Sequence, residues 1–154
     1  MSTSIKVNGG VMIPTDTIKF FRPLTDEDRA RIADKYGVDV SERQIQITFN
    51  SGTQKTYSED LDAIRGQGIG LVNVGNNRHV IAQDIEQAEP FTKADAKAAT
   101  DRGYTLNGTF RSRVELAGGR AVLSSAHPSQ IMQRRAKAIT SAAAASDAPK
   151  AQVS

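Results

Sequence analysis

The chain of 154 residues contains no cysteine. Disulfides and thiolate chemistry are therefore excluded, and a reducing cytoplasm is the compartment it fits. Histidine is nearly absent, with only His79 and His127. Neither has a carboxylate or a second histidine at metal-ligand spacing, so both read as packing or surface residues. No GxGxxG, no phosphate-loop lysine and no HExxH occurs, so these nucleotide and zinc signatures are missing. No apolar run approaches the roughly 20 residues a membrane helix needs. Met1 to Lys6 shows no basic segment leading into an apolar one. The expectation is a soluble, cytoplasmic, non-enzymatic protein that needs no cofactor and no metal.

What is present is an ordinary globular balance, 38% hydrophobic and 24% charged residues. The net charge is +3 and the sequence pI about 9.3. A mildly basic chain permits a nucleic-acid partner without demanding one.

The strongest pattern is internal. Shifted by 67 positions, the chain falls on itself: Ile18 on Ile85, Pro23 on Pro90, Thr25 on Thr92, Asp28 on Asp95, Asp34 on Asp101, Gly52 on Gly119 and Ile64 on Ile131. Apolar character matches between these identities, as at Val7/Val74, Ile13/Val80, Ile47/Val114 and Phe49/Leu116. Proline, glycine and apolar positions recurring in one register predict two copies of one module. A module of about 60 residues buries only about 60% of its unfolded surface. Two packed together, or several chains, would relieve that.

Each copy reads the same way. Ile5–Val7 and Val11–Ile13 flank Asn8-Gly9-Gly10, a hairpin signal. Thr17 to Phe21 is β-branched and aromatic, a strand. Thr25 is a helix N-cap, with Asp26, Glu27 and Asp28 in the first turn, where the helix dipole favours acids. That dipole role accounts for the acidic cluster better than a cation site does. The helix reaches Lys35-Tyr36, and Gly37 stops it. Gln44 to Asn50 alternates with Ile45, Ile47 and Phe49 inward. Thr53 to Tyr57 returns, and Ser58 is the candidate cap of a short helix carrying Leu61 and Ile64. The second copy predicts strands at 71–74 and 79–85, and a helix from Lys93 to Arg102 with Thr92 as its N-cap, ending at Gly103. Extended segments follow at 104–106 and 110–116, then a strand at 121–124. A final helix runs from Pro128 to about Ala145, with Ser125 and Ser129 as candidate caps.

The expected organisation is a first module over 1–65, a flexible glycine-rich linker over 66–70, and a second module over 71–145. Residues 146–154 read as a disordered tail. The fold class is α+β: two tandem ββαββα-like modules, each a small, mostly antiparallel sheet packed on a helix.

The basic residues carry the functional expectation. Arg111 and Arg113 fall on one side of a strand. Val114 and Leu116 interrupt that alternation, which predicts a bend near Arg113. Arg120 lies beside them on the hairpin, and Arg134, Arg135 and Lys137 cluster on the terminal helix. Such groups grip phosphates with counterion release, although a solvated polar face explains the same composition. Arg22, Arg43 and Lys55 are weaker counterparts in the first copy.

Three stretches of the second copy carry a likeness. They are Val72-Asn73-Val74-Gly75-Asn76-Asn77, then Asp101-Arg102-Gly103, then Val122 to Ile131 with Arg134 behind. Together they resemble the extracellular-matrix regulator (RemA-like) family over about 64 residues. The first copy, through Ile13 to Ile18 and the later strand-turn-strand into Leu61, is similar to LytTR-type DNA-binding domains. The resemblance implies a transcription regulator that binds double-stranded DNA as a ring-shaped homo-oligomer. It maps the family's basic hairpin onto Arg111 and Arg113. This chain departs from the family in a shorter hairpin loop, in its fused second copy, and in Asp84, where the family has an arginine. Two functions stay open. One is an oligomeric DNA-binding regulator or architectural protein using the six cations above. The other is a structural, ring-forming or protein-interaction module that does not bind DNA.

Overall fold

Asn8 and Gly9 take positive φ (50° and 78°) and turn β1 (Ser4–Val7) into β2 (Val11–Pro14). Asn76 and Asn77 (54° and 59°) do the same between β6 (Leu71–Gly75) and β7 (Arg78–Ile81). Tight hairpins need left-handed residues at this place, and Asn and Gly tolerate them best. The computed structural model describes residues 3–106 and 108–153, with side chains through 144.

After the first hairpin come β3 (Ile18–Pro23), α1 (Asp26–Tyr36), β4 (Ile45–Phe49), β5 (Gln54–Tyr57) and α2 (Leu61–Arg65). After the second come β8 (Ile85–Pro90), α3 (Lys93–Asp101), β9 (Ser112–Leu116), β10 (Arg120–Ser124) and α4 (Pro128–Val153). The class is α+β, and the order of elements in the first half recurs in the second.

Both middle helices open on a reciprocal cap. Thr25 Oγ1 accepts the Asp28 N–H at 3.1 Å while the Asp28 carboxylate accepts the Thr25 N–H at 3.0 Å. Thr92 and Asp95 repeat it at 3.2 and 2.8 Å. Two orphan amide donors are satisfied at each helix start. Gly37, at φ 65°, ends α1 in the left-handed region.

Several local expectations need correction. The cap of α2 is Asp60, whose side chain accepts from the Ala63 N–H at 2.8 Å, and not Ser58. Neither Ser125 nor Ser129 caps α4. Pro128 takes the first helical position, and Gln130 reaches back to the His127 N–H at 2.9 Å. The stretch 79–85 is not one strand, because the tight 3-10 turn Ala82–Asp84 divides it. β9 alternates cleanly, with Ser112, Val114 and Leu116 buried and Arg113 and Glu115 outward. The irregularity expected near Arg113 sits in the partner strand, between Ile85 and Gln87. Helix α4 runs past Ala145 as far as Val153. Ser154 lies outside the described residues.

The sheets do not divide at the middle of the chain. Their strand orders are β1-β2, β10-β9-β8 and β5-β4-β3-β7-β6. The hairpin β6–β7 of the second half joins the sheet of the first half, with His79 of β7 opposite Phe21 of β3. That hairpin is apolar on both faces. Leu71 and Ile81 enter one core with Ile5, Val7, Phe21, Ile45, Ile47 and Ile64. Val72, Val74 and Val80 enter the other with Ile85, Val114, Leu116, Val122 and Ile131. One wall is shared by two cores.

The seam 66–70 is consequently packed, not the flexible joint its glycines suggest. Gln67 bonds the backbone of Lys6 in both directions at 2.8 Å. Ile69 is buried. A Cβ on Gly70 would meet the Ala138 carbonyl at 2.9–3.0 Å and the Ala82 Cβ at 3.0 Å.

Candidate nucleic-acid interface

The strand β3 reads Ile-Lys-Phe-Phe-Arg-Pro. Its alternation sends Phe21 into the first core and leaves Phe20 and Arg22 on the opposite face. There they sit across from Thr48 and Gln46 of β4. Chain elements from the second half rise beside this face. They are Arg78 at the start of β7, Arg113 of β9, Ala121, Val122 and Leu123 of β10, and Arg102, Tyr104, Leu106 and Phe110 from the segment between α3 and β9. Together they bound an open cleft of about 830 Å3.

Five cations line it: Lys19, Arg22, Arg78, Arg102 and Arg113. Four aromatic rings accompany them, Phe20, Phe91, Tyr104 and Phe110, and no carboxylate is among the lining residues. The cations are held differently. Arg78 lies over the Phe20 ring, 5.8 Å from its centroid, and donates to the Leu123 carbonyl at 2.9 Å. Burial lowers its pKa from the usual value. Arg22 lies 3.7 Å from Asp28. Lys19 and Arg102 are exposed and form no ion pair among the described residues. Tyr104 is 65% exposed, an unusual placement for a large ring.

The six cations singled out from the sequence do not make one ridge. Arg113 is in the cleft, yet it is bonded to Glu115 and to Glu89, the latter at 3.1 Å. Those bonds raise its pKa, the one to Glu115 most. Arg111 is exposed just before β9, and its guanidinium donates to His127 Nε2 at 2.9 Å. Its own hollow shares Phe91, Leu106 and Phe110 with the main cleft. Arg120 is spent on structure. It donates to Ala117 O at 2.9 Å, Ile18 O at 2.8 Å and Asn50 Oδ1 at 3.2 Å, and lies 3.5 Å from Asp84. Arg135 donates to Ile85 O at 2.9 Å. Arg134, which donates to Asn73 O at 2.9 Å, and Lys137 border a separate hollow with Arg65 and His79. Burial first, and the charge of Arg65 second, lower the pKa of His79.

Lys19 and Arg78 are cleft cations that the sequence pattern does not single out, and Arg102 figures in the sequence only through the Asp101-Arg102-Gly103 motif. The signal for the first was legible: a lysine and an arginine bracket two phenylalanines in β3. Arg78 and Arg102 had none, because they reach the cleft through strand pairing across the two halves. Asp84 also gains a reason. Its partner Arg120 bonds the first half, so a cation at 84 would repel the residue that joins the halves.

Among the described residues no group of His, Asp and Glu is arranged to hold a metal ion. Among those residues no helix is long and apolar enough to cross a membrane. No family model, no curated protein and no solved structure matches this chain.

Proposed function

We propose that this protein is a non-catalytic DNA-binding protein, built from two fused copies of an extracellular-matrix-regulator-like module, and that the cleft between the halves is its DNA contact. The observation that carries the reading is the lining itself, five cations and four aromatic rings without one carboxylate. Lys19 and Arg102 contact phosphates, with Arg22 and Arg111 in support. Tyr104 offers a ring to a base or sugar. The contacts are to the backbone, which positions DNA without reading its sequence. Arg120 and Arg135 hold the fold and take no part.

Fluorescence anisotropy with labelled duplex, at several salt concentrations, tests this. Each phosphate contact to duplex DNA adds about 0.9 to the slope of log affinity against log salt. Lys19→Ala with Arg102→Ala therefore lowers the slope by about 1.8. A single-stranded arm isolates Tyr104, since stacking is worth about 1–3 kcal/mol per base. Absence of duplex binding at low salt, or an unchanged slope in the double variant, overturns the proposal. The second reading, an assembly module indifferent to DNA, then stands. It is favoured by the carboxylates that neutralise Arg113 and Arg120.

A further inference from the structure

Inside the chain, the second strand of one hairpin completes the sheet of the half before it: β7 lies against β3. The equivalent parts at the two ends of the molecule are both left open. Among the described residues, β8, the counterpart of β3, has β9 on one side and no strand on the other, and β2, the counterpart of β7, pairs with β1 alone. Burial records the difference position by position. Ile13 is as buried as its counterpart Val80, but Met12 is 59% exposed where His79 is buried, Pro14 is exposed where Ile81 is buried, and Val11, at the place of Arg78, is 48% exposed. An unpaired edge carrying exposed apolar side chains is a template for another strand.

We infer that β2 of one chain pairs antiparallel with β8 of a second copy, repeating between molecules the junction that β7 and β3 make within one. The register follows from the 67-residue correspondence. Phe21 opposite His79 becomes Ala88 opposite Met12. Pro90 does not forbid this, because Pro23 stands at the same place in β3 and the pairing there centres two residues earlier. The side-chain exchanges between the two junctions compensate one another. In the first core, Leu71 and Ile81 of the joining hairpin are buried. In the second core, Ala138 and Ile139 of α4 pack instead. The free hairpin correspondingly carries Ser4 and Pro14 at the positions of Leu71 and Ile81, and so needs no apolar key. Charge agrees: β8 carries Glu86 and Glu89, while the only charge on the free hairpin is Lys6. The contact joins two different surfaces, so it propagates head to tail, closing into a ring or running on as a filament. It is independent of DNA binding.

The absence of native cysteine makes a direct test available. Directly opposed residues on antiparallel strands have Cα atoms about 4.5–5.5 Å apart, within the span of a disulfide. Met12→Cys chains mixed with Ala88→Cys chains and oxidised should give a disulfide dimer containing one of each. The Met12→Cys/Ala88→Cys double variant should give a ladder of multimers. Light scattering on the unaltered chain should show mass rising with concentration, and Met12→Glu, facing the acidic β8, should weaken that association about tenfold or more. The inference is overturned if the unaltered chain stays a monomer at every concentration. It is equally overturned if folded single-cysteine chains give no mixed dimer, or if Met12→Cys chains couple only with one another.

Discussion

Arg120 offers the sharpest test of how the two halves are joined. Arg120→Ala deletes three hydrogen bonds from a guanidinium to Ala117 O, Ile18 O and Asn50 Oδ1. The last two cross to the first half. The side chains of Arg120 and Asp84 are only 19% and 20% exposed, so solvent replaces little of what is lost. Hydrogen bonds from a charged donor are worth about 1.5–3 kcal/mol each, and removing one member of a buried pair leaves the other charge uncompensated. Sharing among the three bonds brings the expected loss to about 2–4 kcal/mol. For a chain of this length that lowers Tm by about 5–12 °C. The pH dependence adds a signature. Burial raises the Asp84 pKa, and Arg120 pulls it back. A carboxylate whose folded pKa is raised destabilises the fold above that pKa, and the penalty is relieved as pH falls through it. Without Arg120 the penalty grows, so the gap between the two proteins should narrow as pH falls from 7 toward about 4. Asp84→Asn should recover part of the loss in the double variant, while costing less than about 1 kcal/mol alone. Urea melts of the four proteins at two pH values measure all of this. An Arg120→Ala effect below about 0.5 kcal/mol, or no recovery by Asp84→Asn, would refute the clamp.

Gly70→Ala should cost about 1–3 kcal/mol in chemical denaturation, because its Cβ would strike the Ala138 backbone; a neutral result would mean the seam is loose after all. Thr25→Ala should cost about 1 kcal/mol by removing the cap of α1. Asp28 has its pKa lowered, first by the Thr25 backbone N–H. Its stabilising share is therefore present above the ordinary carboxylate pKa and lost as pH falls through the folded value, so the gap to Asp28→Asn should close below about pH 4. Ile131→Ala, at a fully buried site in the second core, should cost about 2–5 kcal/mol in the same assay.

Local chemistry was enough for most of the elements, though not for the 3-10 turn that divides 79–85. The Thr25/Asp28 and Thr92/Asp95 pairs, the Asn-Gly and Asn-Asn turns, and the alternation of β4 each act over a few residues, and the structure has them at those places. The recurring order of elements was legible for the same reason, since each element repeats its own local signal. Partnership was not. Nothing near Phe21 says that His79 will lie opposite it, and that pairing turns a supposed linker into packed structure and brings Arg78 over Phe20. Whether an arginine is free or spent is also decided at a distance: Arg113 by Glu89 on the neighbouring strand, Arg120 by a carbonyl 102 residues away. Short-range preference writes helices, turns and strands into the chain. Edges, clefts and the availability of a charge depend on which distant groups folding brings within a few ångströms.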